Sequence, residues 1–215
     1  VAGGMLGAEL EADPSGRYKI SKIFAGENWD DAWRSPLTEP GAGANEGEFL
    51  LSIDGRDLTT RDNPFRLLEG KADRPVALTI AARPDGGRAR TVTVRPIASE
   101  SNLRYLDWVR GRMALADRLS GGKVGYIHLP DTALAGNRML QKMFYSQVAK
   151  PALVVDDRYN GGGFIPDRMA GYLARKTIAR WERRGIESMR TPAFAHDGPK
   201  AMLINAYSSS GGDAL

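Results

Sequence analysis

The chain predicts a mixed α+β / α/β fold, with a β-rich part followed by an α/β part, and three observations carry that prediction. Residues 5–97 alternate short apolar runs with turn residues. From residue 123 onward, strand-like and helix-like runs take turns. The late apolar runs Ala152–Val155 and Ala201–Ala206 are continuous rather than alternating. Short alternating runs with tight turns suit an antiparallel sheet, and continuous runs separated by helices suit a sheet buried on both faces. The expected division is a first domain over 1–97 and a second over 98–215.

In order, Leu6–Leu10 reads as a strand, Asp13-Pro14-Ser15-Gly16 as its turn, and Tyr18–Phe24 as the return strand. Ser35–Ala44 is a loop rich in Pro and Gly. Glu48–Ile53 alternates and runs into Asp54-Gly55, a hairpin signal. Asn63 can cap a short helix over Phe65–Leu68 with Pro64 in its first turn. Val76–Ala82 and Thr91–Val94 flank Asp85-Gly86-Gly87 as a second hairpin. Ala98–Asn102 reads as a linker, and Leu103–Leu119 has helical spacing that stops at Gly121-Gly122. The strand Lys123–Leu129, the helix Leu134–Val148, the strand Ala152–Val155, a helix near Pro166–Arg175 and the strand Ala201–Ala206 follow.

Composition narrows the function. Hydrophobic residues make up 42% and charged residues 26%, which are ordinary globular values. Net charge is +4, with bases and acids interspersed, which argues against a dedicated nucleic-acid surface. The richest basic stretch, Arg175 to Arg184, reads as a solvated helix face. The absence of cysteine excludes disulfides, thiolate metal sites and a cysteine nucleophile. No run approaches the ~18 apolar residues of a membrane helix. No cofactor motif and no metal-ligand spacing stand out. Val1-Ala2-Gly3-Gly4 has no initiator Met, basic region or signal-like core, so the chain reads as a fragment cut at both ends.

Two loops carry chemistry. Val154–Asp157 leads into Arg158-Tyr159-Asn160-Gly161-Gly162-Gly163-Phe164, and Leu203–Tyr207 leads into Ser208-Ser209-Ser210-Gly211-Gly212-Asp213. Acyl transfer needs a nucleophile, a base and donors for the developing oxyanion. Ser210, at a strand-to-helix turn, is the candidate nucleophile, and Gly211 the candidate oxyanion donor because nothing beyond its Cα blocks substrate. The glycine loop follows a buried strand, where α/β sheets gather ligands, and can supply a second N–H. A flexible tail, a Ser210–Asp213 helix-capping pair and a simple tight turn remain open as local alternatives. The loop lacks the Gly-Lys-Ser/Thr of a phosphate site. His128 reads as a satisfied strand histidine, His196 as a surface loop histidine, and Lys200 as a surface lysine opening the last strand. None of the three carries a base signature.

These motifs together resemble the tricorn protease family, within the larger group of serine peptidases that includes the C-terminal processing peptidases. Met5–Leu10, Ser35-Pro36-Leu37, Glu46–Gly55 and Val76–Ile80 are similar to that family's PDZ domain. Gly125–Thr132 and Phe144-Tyr145 resemble its second catalytic subdomain, and Asp157–Phe164 with Asn205–Asp213 are the most specific matches. The resemblance implies a PDZ-like domain followed by part of a crotonase/ClpP-like serine peptidase domain. It further implies Ser210 as nucleophile, with oxyanion N–H groups from Gly211 and from the glycine loop, Gly163 before Gly162. The family's histidine lies upstream and its relay glutamate downstream of this chain, so the fragment alone is expected to be nearly inert. The implied substrate is peptide or unfolded polypeptide, the implied assembly a homo-oligomer (a hexamer), and the implied compartment the cytoplasm, with periplasmic or secreted locations left open. The loop Gly4-Met5-Leu6-Gly7 is the nearest match to a PDZ carboxylate loop, which makes Met5, Leu6 and Gly7 candidate peptide contacts. A serine–lysine dyad with a downstream lysine, and a PDZ scaffold with a decayed site, are the alternatives.

Overall fold

The structure, a computed structural model, describes residues 3–215. It forms two compact units, one ending at Trp108 and the other beginning at Val109.

The first unit is an antiparallel sheet. Its strands are β1 (Ala8–Ala12), β2 (Tyr18–Ile23), β3 (Phe49–Ile53), β4 (Arg56–Asp57), β5 (Val76–Ala81) and β6 (Arg90–Val94), in the order β1-β2-β3-β5-β6 with β4 paired to β3. The expected hairpin at Asp54-Gly55 is present: both residues take positive φ, +49° and +75°, the mirror-image turn that matches strand twist. Helix α1 (Pro64–Leu67) is capped as its sequence suggests, the Asn63 side chain accepting from the Phe65 N–H at 2.9 Å. The core gathers Ile20, Leu50, Ile53, Leu58, Leu78, Ile80 and Val94 from the inward positions of the strands and the segments between them.

Helix α2 (Ser101–Ser120) starts inside the expected linker and ends at Gly121-Gly122. Both glycines have positive φ, and the Gly122 N–H closes the helix on the Asp117 carbonyl at 2.8 Å.

The second unit holds β7 (Val124–His128), α3 (Leu134–Gln147), β8 (Ala152–Asp156), α4 (Pro166–Leu173), β9 (Ala179–Arg183), β10 (Ile186–Thr191) and β11 (Lys200–Leu203). Strands β11, β8 and β7 form a parallel sheet in that order. Met139, Leu140, Met143 and Phe144 are buried on α3, and Gln147 is buried with them. The Gln147 amide accepts from the Tyr126 N–H and donates to its carbonyl, which ties α3 to β7 in one position.

Three expectations are corrected. The basic stretch ending at Arg184 is not a helix face: from Ala179 it is strand β9, paired with β10 in an exposed hairpin. Gly185 (φ +79°) makes the turn, and the Trp181 indole donates to Thr191 across the pair. The last strand is shorter than Ala201–Ala206 and is not buried; Met202, Leu203 and Ile204 lie exposed at the sheet's edge. His196 is buried rather than on the surface, its Nε2 bonding the Lys150 carbonyl at 2.8 Å, because the loop folds back under the sheet end. Lys200 spends its ammonium on the His196 carbonyl at 2.7 Å.

Candidate active site

The three parallel strands end level with one another. Register pairs His128 with Asp156 and Asp156 with Leu203, so the segments after β7, β8 and β11 leave the sheet at the same height. Carboxyl ends of parallel strands are where such sheets place their ligands. Here the three segments are Thr132 with its neighbours, the glycine loop, and the serine loop.

Asn160 links the last two. Fully buried, it accepts the Gly162 N–H on its side-chain oxygen at 2.8 Å and donates its amide to Asp157 at 2.8 Å. Its main-chain carbonyl accepts the Ser209 N–H at 3.1 Å. Ser208 adds a second tie, its hydroxyl donating to the Asp157 carbonyl at 2.7 Å. One side chain and two main-chain carbonyls thus fix both loops to the end of β8.

The loops then touch at their glycines. A Cβ at Gly162 would stand 2.7 Å from the Ser210 Cβ, and one at Gly211 would stand 2.2 Å from the Gly163 carbonyl oxygen. Thr132 fits between them: it is fully buried, its N–H donates to the Gly162 carbonyl, and its Oγ1 would lie 2.3 Å from a Gly211 Cβ. Ser210 is exposed, has φ +55°, and opens a 3-10 turn over Ser210–Gly212 rather than a longer helix.

The N–H inventory separates the glycines. Gly161 donates to the Pro130 carbonyl and Gly162 to Asn160. Among the described residues, no hydrogen bond engages the N–H of Gly163 or of Gly211. An exposed hydroxyl beside two uncommitted N–H groups has the components for nucleophilic attack and for binding a developing oxyanion. Tyr159 and Tyr207, one from each loop, stack at 5.5 Å and stay exposed, as does Phe164.

Beneath the loops lies a charged cluster. Asp156 is fully buried; burial opposes its charge, but Arg158 and Tyr126 together hold its carboxyl below the ordinary range. Arg158 grips it through Nε at 2.8 Å and Nη2 at 2.6 Å, and the Tyr126 hydroxyl donates at 2.6 Å. Burial and that carboxylate push the Tyr126 phenol far up. His128, in β7, has its pKa lowered by burial, and its Nε2 bonds the Arg158 carbonyl at 3.1 Å.

Asp157 differs from Asp156. It too is fully buried, but its Oδ2 has no partner, and burial with the nearby charges of Asp156 and Asp213 lifts its pKa to about 6 despite the Asn160 bond. Between its ordinary 3.8 and about 6 the carboxyl ionises in the unfolded chain but stays protonated in the folded one, so its cost to folding sets in near pH 4, grows with pH and is complete above about pH 6. Asp157→Asn is therefore expected to gain stability relative to the parent as pH rises. The difference between the two should grow by about 2 kcal/mol from pH 4.5 to 7.5 in urea titrations, and a pH-independent difference contradicts it.

The sequence did not mark Thr132 or the linking role of Asn160. An Asn beside a glycine run was the only signal for the latter. Among the described residues, no group of three or more His, Asp or Glu side chains could hold a metal ion, and no helix is long and apolar enough to cross a membrane. In the first unit, Met5 exchanges both its main-chain hydrogen bonds with Ile97, Leu6 is in the core, and the Gly7 carbonyl accepts from Phe24.

Comparison with known proteins supplies a family. Residues 4–99 match the model described as the tricorn protease PDZ domain. The chain is 35% identical over 212 residues to tricorn protease homolog 1 of Streptomyces coelicolor, covering 99% of this chain and 20% of that protein. It is 33% identical over 211 residues to the tricorn protease homolog of Saccharolobus solfataricus, covering 98% of this chain and 19% of the relative. The crystal structure of the tricorn protease superposes with a TM-score of 0.89 at 26% identity, over 99% of this chain and 20% of that one. The chain thus spans about a fifth of the length of the relatives it matches.

Proposed function

Because the chain belongs to the tricorn protease family, we propose that it is the part of a serine peptidase that carries the nucleophile and the oxyanion hole. Ser210 attacks the scissile carbonyl and forms an acyl-enzyme. The N–H groups of Gly163 and Gly211 bind the oxyanion, while Gly162 serves the loop by donating to Asn160. The observation that carries this reading is the contact of two loops, from neighbouring parallel strands, whose touching glycines keep two N–H groups uncommitted beside an exposed serine.

No general base faces Ser210 among the chain's two histidines, since His128 and His196 are both buried against main-chain carbonyls. The base is supplied from outside these 215 residues, and the fragment alone turns over little substrate. By the same family membership the substrate is peptide or unfolded polypeptide, and the working protein is a homo-oligomer of the cytoplasm. We keep the domain boundary at 97/98, beside the end of the PDZ match at residue 99.

The test is active-site labelling of the complete gene product with a fluorophosphonate, beside its Ser210→Ala variant. Labelling of the parent that vanishes in the variant is expected. Equal labelling of both, or none in the parent, removes the assignment.

A further inference from the structure

We infer that the first unit contains a carboxylate-binding site that the chain fills with its own Glu100, as an intramolecular stand-in for the C-terminal carboxylate of a peptide. The inference rests on the first unit alone and is independent of Ser210.

Gly7 has φ +72°, and the successive N–H groups of Gly7 and Ala8 meet one acceptor, Glu100 Oε1, at 3.0 and 3.3 Å. The other carboxylate oxygen, Oε2, takes Arg104 Nε at 3.1 Å and Nη2 at 2.9 Å. Two main-chain donors and a guanidinium fork are the chemistry that selects a carboxylate, and the fork adds geometric fit to charge. Glu100 is 7% exposed and stands 93 residues from Gly7 in sequence, so this is a built tertiary contact and not a local turn.

The surroundings hold the arrangement in place. Arg104 also reaches Glu9 of β1 through Nη1 at 3.1 Å, and its guanidinium lies 4.4 Å from the centre of the Phe24 ring. Leu103, Pro36 and Ser35 crowd the Cα of Gly7, where a Cβ would lie 3.0 Å from the Leu103 side chain. Strand β1, which begins at Ala8, pairs with β2 alone among the described strands. A peptide adding beside β1 would bring its terminal carboxylate to the Gly7–Ala8 N–H pair. With Glu100 seated there, a second carboxylate meets like charge and no vacant donor. The ligand class of the site is a free peptide C-terminus, and the parent chain excludes it.

The experiment uses the 215-residue chain and its Glu100→Ala variant. The probe is a dansylated hexapeptide of alternating valine and serine with a free carboxyl terminus, beside its amidated twin. Binding is read by anisotropy, and the Gly7 and Ala8 amide resonances by NMR. The expected result is no difference between the two peptides on the parent. On Glu100→Ala, the free acid should bind at least about tenfold tighter than the amide, with shifts at both resonances that acetate reproduces. Discrimination already present in the parent, or none in the variant, overturns the inference. Should Glu100→Ala unfold in chloride, recovery of its fold in acetate but not acetamide supports the inference, and recovery in neither overturns it.

Discussion

Gly163→Ala is expected to slow fluorophosphonate labelling of Ser210 in the complete protein by about 10²–10³-fold, the effect of losing one oxyanion donor. Two independent obstacles act at this position. Its φ of +150° lies where L side chains are rarely found, and a Cβ would stand 2.3 Å from the carbonyl oxygen of Thr132 and 2.4 Å from its carbon. Those neighbours are main chain, so no rotamer change relieves them. Thr132 is held on both sides, donating to the Gly162 carbonyl and accepting from the Ile165 N–H, so the loop must move instead. Movement withdraws the Gly163 N–H from Ser210. Gly161, two residues away, is the control: the nearest atom to a Cβ there is the Pro130 carbonyl oxygen at 3.8 Å. Gly161→Ala should keep the rate within roughly twofold, the span of an ordinary surface change. Equal rates for both variants would remove Gly163 from the proposed oxyanion site.

The second large effect is on stability. Asp156→Ala is expected to cost about 3 kcal/mol in urea unfolding of the 215-residue chain. It removes the acceptor of the Tyr126 hydroxyl, two bonds from the Arg158 guanidinium and one from the Arg158 N–H. The Arg158 side chain is 33% exposed and can turn partly to water, which keeps the cost below that of stranding a fully enclosed cation. Tyr126 is 4% exposed and has no such escape. Asp156→Asn retains an acceptor for the phenol and should lose less. A loss below about 1 kcal/mol for the alanine variant would show that the cluster contributes no more than a surface pair.

Much of the fold was legible because its signals are local. Asp54-Gly55, Asn63-Pro64 and Gly121-Gly122 each encode a turn or a helix end in two adjacent residues, and each stands where its sequence placed it. The loops bearing Gly162, Gly163, Ser210 and Gly211 were legible by motif, and the structure brings them into contact. What escaped depends on distant partners. His196 looks like a loop residue until the Lys150 carbonyl covers it, and Glu100 looks like linker until Gly7 and Arg104 enclose it. The β9–β10 hairpin is hidden because its arginines resemble a helix surface, and its exposed strands carry no apolar alternation that burial would impose. Ala201–Ala206 reads as buried because an apolar run is the same letters whether or not another element covers it.

The parallel pairing of β8 with β11 acts as a ruler for the glycine and serine loops. Leu153 stands opposite Lys200 and Asp156 opposite Leu203, and that alignment sets the height at which the serine loop leaves the sheet beside the glycine loop. A slip of one residue would carry the serine about 3.3 Å along the strand and exchange the faces of β11. Such a shift would break the bond between the Ser209 N–H and the Asn160 carbonyl, which is 3.1 Å long. If the function proposed above holds, a register error in β11 is therefore expected to abolish labelling of Ser210 as fully as its replacement by alanine, with the residues of both loops unchanged.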